Sequence, residues 1–338
     1  MTWRTGITEL LGARYPIMQA GMGVAAGGRL AAAVSEAGGI GCIGASRMSP
    51  EELDREIALV QETTAGPFGV DFLFPDLAER TAGADEGTSH AVDPELRARM
   101  LAIAYRRQVP LIVYAMKLPP GAADAAHERG IAVATLVGTA RHARRAQELG
   151  ADAVIATGTE AGGHTGTVAL SVLVPAVARE VDVPVVAAGG ISTGAGVAAA
   201  LALGADGVWI GTRFVATRES SVHDDVRKEA VARTEDQTVI SRALSGKTCR
   251  LASNDFTAYW TSHEPLPFPE QAVEINRQGL VLRGLRDGDV VGAPIPLGQS
   301  TALVDDVVDA ASVVADLVAG AEQAAAGLAT RLGTGTGP

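Results

Sequence analysis

The sequence predicts an α/β protein built on a closed (β/α)8 barrel, the TIM-barrel fold. Three observations predict it. Eight short apolar runs alternate with helix-like segments between Tyr15 and Ile210. Hydrophobic content is 47% but aromatic content only 4%, so the core must consist of Ala, Val, Leu and Ile, which suits parallel strands buried on both faces. Glycines follow the last two apolar runs, where barrels of this kind often bind phosphate.

The apolar runs read as strands because each is short and is bounded by Gly, Pro or polar residues. They cover residues 15–20, 40–44, 68–73, 110–114, 131–137, 153–156, 184–188 and 207–210. The intervening segments carry helix signals, such as Ser49 before Pro50 and Thr139 at a cap position, and several end at glycine. Strands that alternate with helices form a parallel sheet, and eight such units fit a closed barrel.

The pattern changes after Phe214. A charged helix is predicted at 223–232, and the region from 234 to 269 is richer in aromatic residues and proline than the barrel. We interpret it as a small, mainly helical lid inserted after strand 8. Apolar residues at helical spacing over 304–317 predict a return to the barrel wall. The expected domains are therefore a barrel of residues 1–215 plus about 275–330, a lid of about 216–274, and a flexible tail of 331–338.

A dinucleotide-binding Rossmann fold is the alternative. The stretch from Gly21 to Ala26 satisfies the loose G-x-G-x-x-A pattern after a strand. The second strand ends in Ser46-Arg47 instead of an acidic residue, although an arginine there could suit a 2′-phosphate. The count of eight units and the second glycine set near Gly190 favour the barrel.

Composition excludes several classes of function. The formal net charge is −11 and no basic patch is apparent, so nucleic-acid binding is not expected. The two cysteines, Cys42 and Cys249, lie far apart in sequence, which excludes a disulfide framework, and no metal site is predicted. No signal peptide or membrane span is apparent, so we expect a cytoplasmic protein. The sequence leaves the oligomeric state open.

One loop combines glycines with a titratable side chain. Residues 157–166, which follow the sixth strand, read Thr-Gly-Thr-Glu-Ala-Gly-Gly-His-Thr-Gly. Glycine allows the backbone to approach a ligand closely, and histidine suits proton transfer near neutral pH. His164 is therefore the candidate acid/base group. A second histidine, His90, lies in a long polar loop at about 75–92 that could overhang the barrel mouth.

Four motifs in order resemble one family. They are Pro16-Ile17-Met18-Gln19-Ala20-Gly21-Met22, Gly158-x-Glu160-Ala161-Gly162-Gly163-His164-x-Gly166, Ala187-Ala188-Gly189-Gly190-Ile191, and the run from Gly204 to Thr212. Together they resemble the nitronate monooxygenase family, and the resemblance covers nearly the whole chain. It implies an FMN-bearing barrel in which His164 is catalytic. The positions matching the family's FMN contacts are Ala20, Gly21, Met22, Asp71, Gly138, Thr157, Gly162, Gly189, Gly190, Gly211 and Thr212.

Two of these positions depart from the family pattern. Family members usually have Asn where Asp71 stands, and often Gln where Thr157 stands. A carboxylate beside the flavin ring would disfavour anionic reduced flavin unless it is protonated or turned away.

The resemblance implies FMN-dependent oxidation of alkyl nitronates (nitroalkanes), with a small-molecule substrate and O2 as partners and a carbonyl compound and nitrite as products. The alternative is an FMN-dependent reductase that uses NAD(P)H, of the enoyl-acyl carrier protein reductase or quinone reductase type. A flavin- or phosphate-binding protein without turnover is the third hypothesis.

Overall fold

The computed structural model describes residues 3–73 and 94–333. In this part of the chain eight parallel strands close into a barrel with helices outside, which confirms the predicted fold and makes the Rossmann alternative wrong. The strands are β1 (Ile17–Gln19), β2 (Gly41–Gly44), β3 (Phe68–Phe72), β4 (Leu111–Tyr114), β5 (Ala132–Val137), β6 (Ala153–Thr157), β8 (Val185–Ala188) and β9 (Gly207–Ile210), with the short β7 (Gly163–His164) outside the barrel. Their order around the barrel is β1-β9-β8-β6-β5-β4-β3-β2.

The barrel closes between β1 and β2 with the help of a side chain. Ile40 and Ile17 share a main-chain hydrogen bond of 2.9 Å at this seam. Beyond this bond the fully buried Gln19 side chain takes the place of main-chain hydrogen bonds between β1 and β2. Its Oε1 accepts from the Cys42 N–H at 3.0 Å, and its Nε2 donates to the Cys42 carbonyl at 3.1 Å. The amide thus satisfies two main-chain groups that would otherwise be buried without partners.

We expect Gln19→Met to destabilise the protein by about 2–4 kcal/mol, because both main-chain groups of Cys42 would lose their partner in a dry interior. Urea unfolding monitored by circular dichroism measures this. The exposed Gln278 at the end of a helix provides the matched control, and Gln278→Met should have little effect. Equal free energies of unfolding for the two variants would contradict the closure role of Gln19.

Helices cover the outside of the barrel, and apolar side chains fill both layers. The interior contains Met18, Ile40, Cys42, Leu111, Val113, Ile155, Val186 and Trp209. The outer helices are α2 (Gly28–Glu36), α3 (Pro50–Thr63), α4 (Pro94–Arg106), α5 (Ala122–His127), α6 (Ala140–Glu148), α7 (Leu170–Ala178) and α8 (Gly194–Ala202), while the preceding α1 (Gly6–Leu11) places Ile7 in the interior cluster. The predicted start of α3 is a capping box between Ser49 and Glu52.

The segment after β9 forms a second packing unit beside the barrel mouth. It contains α9 (Thr212–Val215), α10 (Asp224–Ala232), β10 (Thr238–Ser241), β11 (Cys249–Ala252), α11 (Asp255–Tyr259), α12 (Glu270–Arg277) and α13 (Leu280–Leu285). Besides the predicted helices it holds an antiparallel sheet of order β10-β11-β7, which the sequence did not predict. Its hydrophobic cluster includes residues as far along the chain as Val304.

The last helix, α14 (Ala310–Arg331), returns to the barrel wall. It lies directly on α8, since a Cβ on Gly194 would come within 2.3 Å of the backbone of Gly320 and Ala321. In the described residues no helix is both long and apolar enough to cross a membrane. The loop predicted at 75–92, with His90, and residues 334–338 of the predicted tail lie outside the described residues.

Candidate functional site

A cavity of about 290 Å³ lies between the carboxyl ends of the barrel strands and the lid. The parallel strands bring their C-terminal loops to one face of the barrel, where such proteins place their active sites. All predicted site residues line this cavity except Gly138. Gly138 follows β5 and faces Gly166 instead, since a Cβ there would meet the Gly166 Cα at 3.6 Å.

The loop that carries His164 belongs to both the barrel and the lid. It leaves β6 and forms β7, which pairs antiparallel with β11 so that His164 lies opposite Cys249. Gly163 adopts a φ of +74°, a left-handed conformation that permits this change of direction. The lid sheet therefore fixes the position of the predicted catalytic residue.

Two charged side chains hold the same loop. Both carboxylate oxygens of Glu160 accept the Leu170 N–H at 3.1 Å, at the start of α7, where the N-cap residue offers no side-chain oxygen. The Arg250 guanidinium on β11 donates to the Thr159 carbonyl at 2.9 Å. Glu160 and Arg250 thus fix the conformation of the loop that carries the glycines and His164.

His164 has a hydroxyl partner and a positive environment. Its Nε2 lies 2.7 Å from the Oγ of the buried Ser245, which also accepts the Lys247 N–H at 3.3 Å. Burial, and after it the positive charges of Lys247 and Arg47, together lower the pKa of His164 to about 4. The imidazole is therefore neutral at pH 7 and can either accept a proton or donate its N–H.

Asp71 is a buried carboxyl on the cavity wall, at the end of β3. Only 6% of the residue is exposed, and its Oδ1 has no hydrogen-bond partner among the described residues. A Cβ on Gly21 would lie 2.3 Å from the Asp71 Cβ, so only glycine allows this side chain to lie over the first loop. Burial raises the pKa of Asp71 well above its ordinary value. Burial therefore favours the protonated, neutral form of this carboxyl, which is the form compatible with a position beside a flavin ring.

A glycine-lined concavity occupies the opposite side of the cavity. Gly189 and Gly190 follow β8 with φ values of +106° and +71°, which side chains other than glycine rarely adopt. A Cβ on Gly189 would come within 2.9 Å of the Ala161 nitrogen. Gly211 and Thr212 follow β9 and line the same cavity, and the Thr212 Oγ1 accepts the Gly298 N–H at 2.9 Å.

Arg47 is a cavity residue that sequence reasoning did not include in the site. It ends the helical turn after β2, is half-buried, and its Nη1 donates to the Asn276 Oδ1 on α12 at 2.6 Å. Burial lowers the pKa of its guanidinium. In the sequence Arg47 could be noticed only as a residue at the end of the second strand. There it was interpreted as a possible ligand of a 2′-phosphate in the Rossmann alternative.

The described residues place no group of three or more His, Cys, Asp or Glu side chains where they could hold a metal ion. Three histidines outside the cavity have local partners. The His127 Nε2 lies 2.8 Å from Asp152, His223 caps α10, and His263 stacks on Tyr259. His164 is thus the histidine that the described structure places in the cavity wall.

Comparison with known proteins agrees with this geometry. A family model described as nitronate monooxygenase matches residues 4–320. A putative monooxygenase of Mycobacterium tuberculosis is 35% identical over 93% of this chain and 96% of its own length. A 5-hydroxy-7a-methyl-1-oxo-octahydro-1H-indene-4-carboxyl-CoA dehydrogenase of Rhodococcus jostii is 41% identical over 75% of this chain and 67% of its own length.

Solved structures extend the agreement to the whole fold. FabK from Thermotoga maritima superposes with a TM-score of 0.86 at 34% identity, covering 97% of this chain and 99% of that one. Nitroalkane oxidase from Streptomyces ansochromogenes gives a TM-score of 0.85 at 29% identity, covering 96% and 100%. With matches across barrel and lid alike, the chain belongs to the nitronate monooxygenase family and is an oxidoreductase of this flavin-dependent type.

Proposed function

We propose that the protein oxidises alkyl nitronates, and nitroalkanes after proton removal, with O2 and bound FMN, releasing a carbonyl compound and nitrite. The single observation that carries the proposal is the placement of a neutral His164 in the wall of the same cavity as the glycine concavity after β8 and β9. Membership of the nitronate monooxygenase family and the structural likeness to a nitroalkane oxidase support it.

The residues present fit FMN. Gly189 and Gly190 have no side chains of their own to obstruct a phosphate group, and Gly211 and Thr212 would bind the phosphate from the loop after β9. Ala20, Gly21 and Met22 would lie along the ring, with Thr157 and Gly162 on its other borders. The orphaned Oδ1 of Asp71 offers a hydrogen-bonding atom that a polar edge of the ring would satisfy. When bound, FMN supplies the electron transfer between substrate and O2.

His164 performs the proton chemistry in this proposal. For a nitroalkane, the neutral imidazole removes the acidic proton from the carbon beside the nitro group. For a nitronate no proton transfer is needed, and the ring N–H donates a hydrogen bond to the anion. Ser245 positions the ring, because its Oγ lies 2.7 Å from Nε2 and is itself fixed by the Lys247 N–H.

The lid supplies the wall that an alkyl group would contact. Apolar side chains from the second packing unit line the cavity opposite the barrel floor. They are Val215, Val222, Val226, Leu244, Val281 and Leu285. An apolar wall of this kind favours an aliphatic substrate over a highly polar one.

Anaerobic mixing tests the proposal. In one experiment the FMN-loaded enzyme is mixed with propyl-2-nitronate, and in a separate experiment it is mixed with NADPH or NADH. The flavin absorbance is followed in both. We expect loss of the oxidised flavin spectrum with the nitronate and none with either nicotinamide. Aerobic turnover should then yield acetone and nitrite.

The second candidate is an NAD(P)H-using, FMN-dependent reductase of the enoyl-acyl carrier protein or quinone type. The specific observation in its favour is that the likeness to FabK and to the Rhodococcus dehydrogenase is as strong as the likeness to the nitroalkane oxidase. Rapid bleaching by NADPH or NADH without any response to the nitronate would establish this candidate and overturn the first.

A further inference from the structure

Arg47 is a cation without a carboxylate partner. In residues 3–73 and 94–333 no Asp or Glu lies within ion-pair distance of its guanidinium, and its hydrogen bond to the neutral Asn276 uses only part of its donor capacity. Burying a guanidinium costs free energy unless an anion compensates it. A half-buried, unpaired arginine that faces a cavity therefore indicates that the compensating charge arrives with a ligand.

A second cation lies near the same part of the cavity. Lys247 follows β10, and its Nζ lies 4.3 Å from the centroid of the Phe268 ring, which lines the cavity. The charges of Arg47 and Lys247 both act on His164, although Arg47 belongs to the barrel and Lys247 to the lid. The cavity thus combines a positive region around His164 with the apolar lid wall.

We propose that Arg47, assisted by Lys247, forms an anion subsite that binds a planar two-oxygen anion, such as a nitronate or carboxylate, while the apolar part of the same ligand contacts the lid wall. The guanidinium matches such a group because its N–H donors form a planar fork. This deepens the proposed function by naming the substrate class as amphipathic anions, and the subsite itself does not require nitronate turnover.

Binding at this subsite has a consequence for His164. An anion beside Arg47 and Lys247 cancels positive charge that now disfavours the imidazolium. The pKa of His164 should therefore rise when the subsite is filled, so the ligand itself increases the basicity of the group that acts on it.

Isothermal titration calorimetry of the holoenzyme with butyrate and with butyramide tests the subsite, because the two probes have nearly the same shape and differ in charge. We expect wild type to bind butyrate in preference to butyramide. Arg47→Met should weaken butyrate binding by about 10- to 100-fold, the loss of a charge-assisted hydrogen bond, and should leave butyramide binding unchanged. Arg47→Lys, which keeps the charge, should be intermediate.

The competing explanation is that Arg47 only ties α12 to the barrel. Asn276→Ala removes that hydrogen bond and keeps the charge, so it should retain butyrate affinity. NMR titration of the His164 ring provides a second readout, since butyrate should raise its pKa in wild type but not in Arg47→Met. Equal affinity for the two probes in wild type, undiminished butyrate binding in Arg47→Met, or loss of binding in Asn276→Ala would each overturn the subsite. A protein that binds butyrate through Arg47 but does not respond to nitronate would retain the subsite and lose the proposed function.

Discussion

Replacing His164 with alanine is expected to lower kcat/KM for 2-nitropropane by about 10²- to 10⁴-fold, the usual contribution of a positioned acid/base group. The reason is that the neutral imidazole at the cavity wall is the group proposed to remove the carbon-bound proton. Steady-state oxygen consumption with FMN-loaded enzyme measures the effect. Unchanged FMN content and near-ultraviolet circular dichroism establish that the variant keeps its fold.

His164→Asn separates the two roles of the imidazole. Asparagine keeps a hydrogen-bond donor but is not a base at neutral pH, so activity on 2-nitropropane should fall as far as in the alanine variant. Activity on propyl-2-nitronate, which has no proton to lose, should fall much less. Ser245→Ala leaves the imidazole but removes its 2.7 Å partner, with an expected loss of about threefold to tenfold on both substrates. Equal losses on the two substrates in His164→Asn would exclude the general-base role.

Replacing Asp71 with asparagine is expected to stabilise the protein at pH 7 and to flatten its pH dependence. Burial raises the pKa of Asp71 in the folded state, whereas the unfolded chain has the ordinary value near 3.9. Between these two pKa values the folded state binds the extra proton, so stability falls as pH rises. The slope reaches about 1.4 kcal/mol per pH unit. Asparagine has nearly the same shape and does not titrate, so it removes this loss.

Thermal and urea unfolding of the apoprotein between pH 4 and 8 measures the effect of Asp71→Asn. The difference from wild type should be small near pH 4 and should grow toward neutral pH. Asp316, exposed on α14, provides the matched control because its replacement removes a carboxyl without changing the interior. Parallel stability curves for wild type and Asp71→Asn would show that the buried carboxyl does not titrate in this range. The FMN dissociation constant across the same pH range reports whether the neutral acid also serves the cofactor.

The barrel could be predicted because each of its strands is specified locally. A run such as Val185–Ala188 is apolar throughout and has proline before it and paired glycines after it, so its type, length and direction follow from a few neighbouring residues. The small sheet of the lid is different. Strand β10 has two exposed apolar residues, Val239 and Ile240, and β7 is two residues long. These segments become strands because they pair with distant parts of the chain, and such pairing cannot be predicted from a local sequence pattern.

In the candidate site, too, some features follow from local sequence and others depend on contacts between distant segments. The residues predicted from motifs line the cavity, apart from Gly138, because the carboxyl ends of parallel strands meet there whatever the details of packing. The raised pKa of Asp71 and the influence of Arg47 on the pKa of His164 could not be predicted, because both depend on burial and on distances created by folding. Likewise Ser245, 81 positions along the chain from His164, becomes its partner only because the lid folds against the barrel.

The pairing of β7 with β11 would couple any opening of the lid to the position of His164. His164 is hydrogen-bonded into the lid sheet, so a lid that swings away must either break that pairing or take the imidazole with it. In both cases the open state lacks a correctly placed base, and the closed state acquires it at the moment solvent is excluded. A single movement would thus both admit the ligand and switch on proton transfer, without a separate trigger.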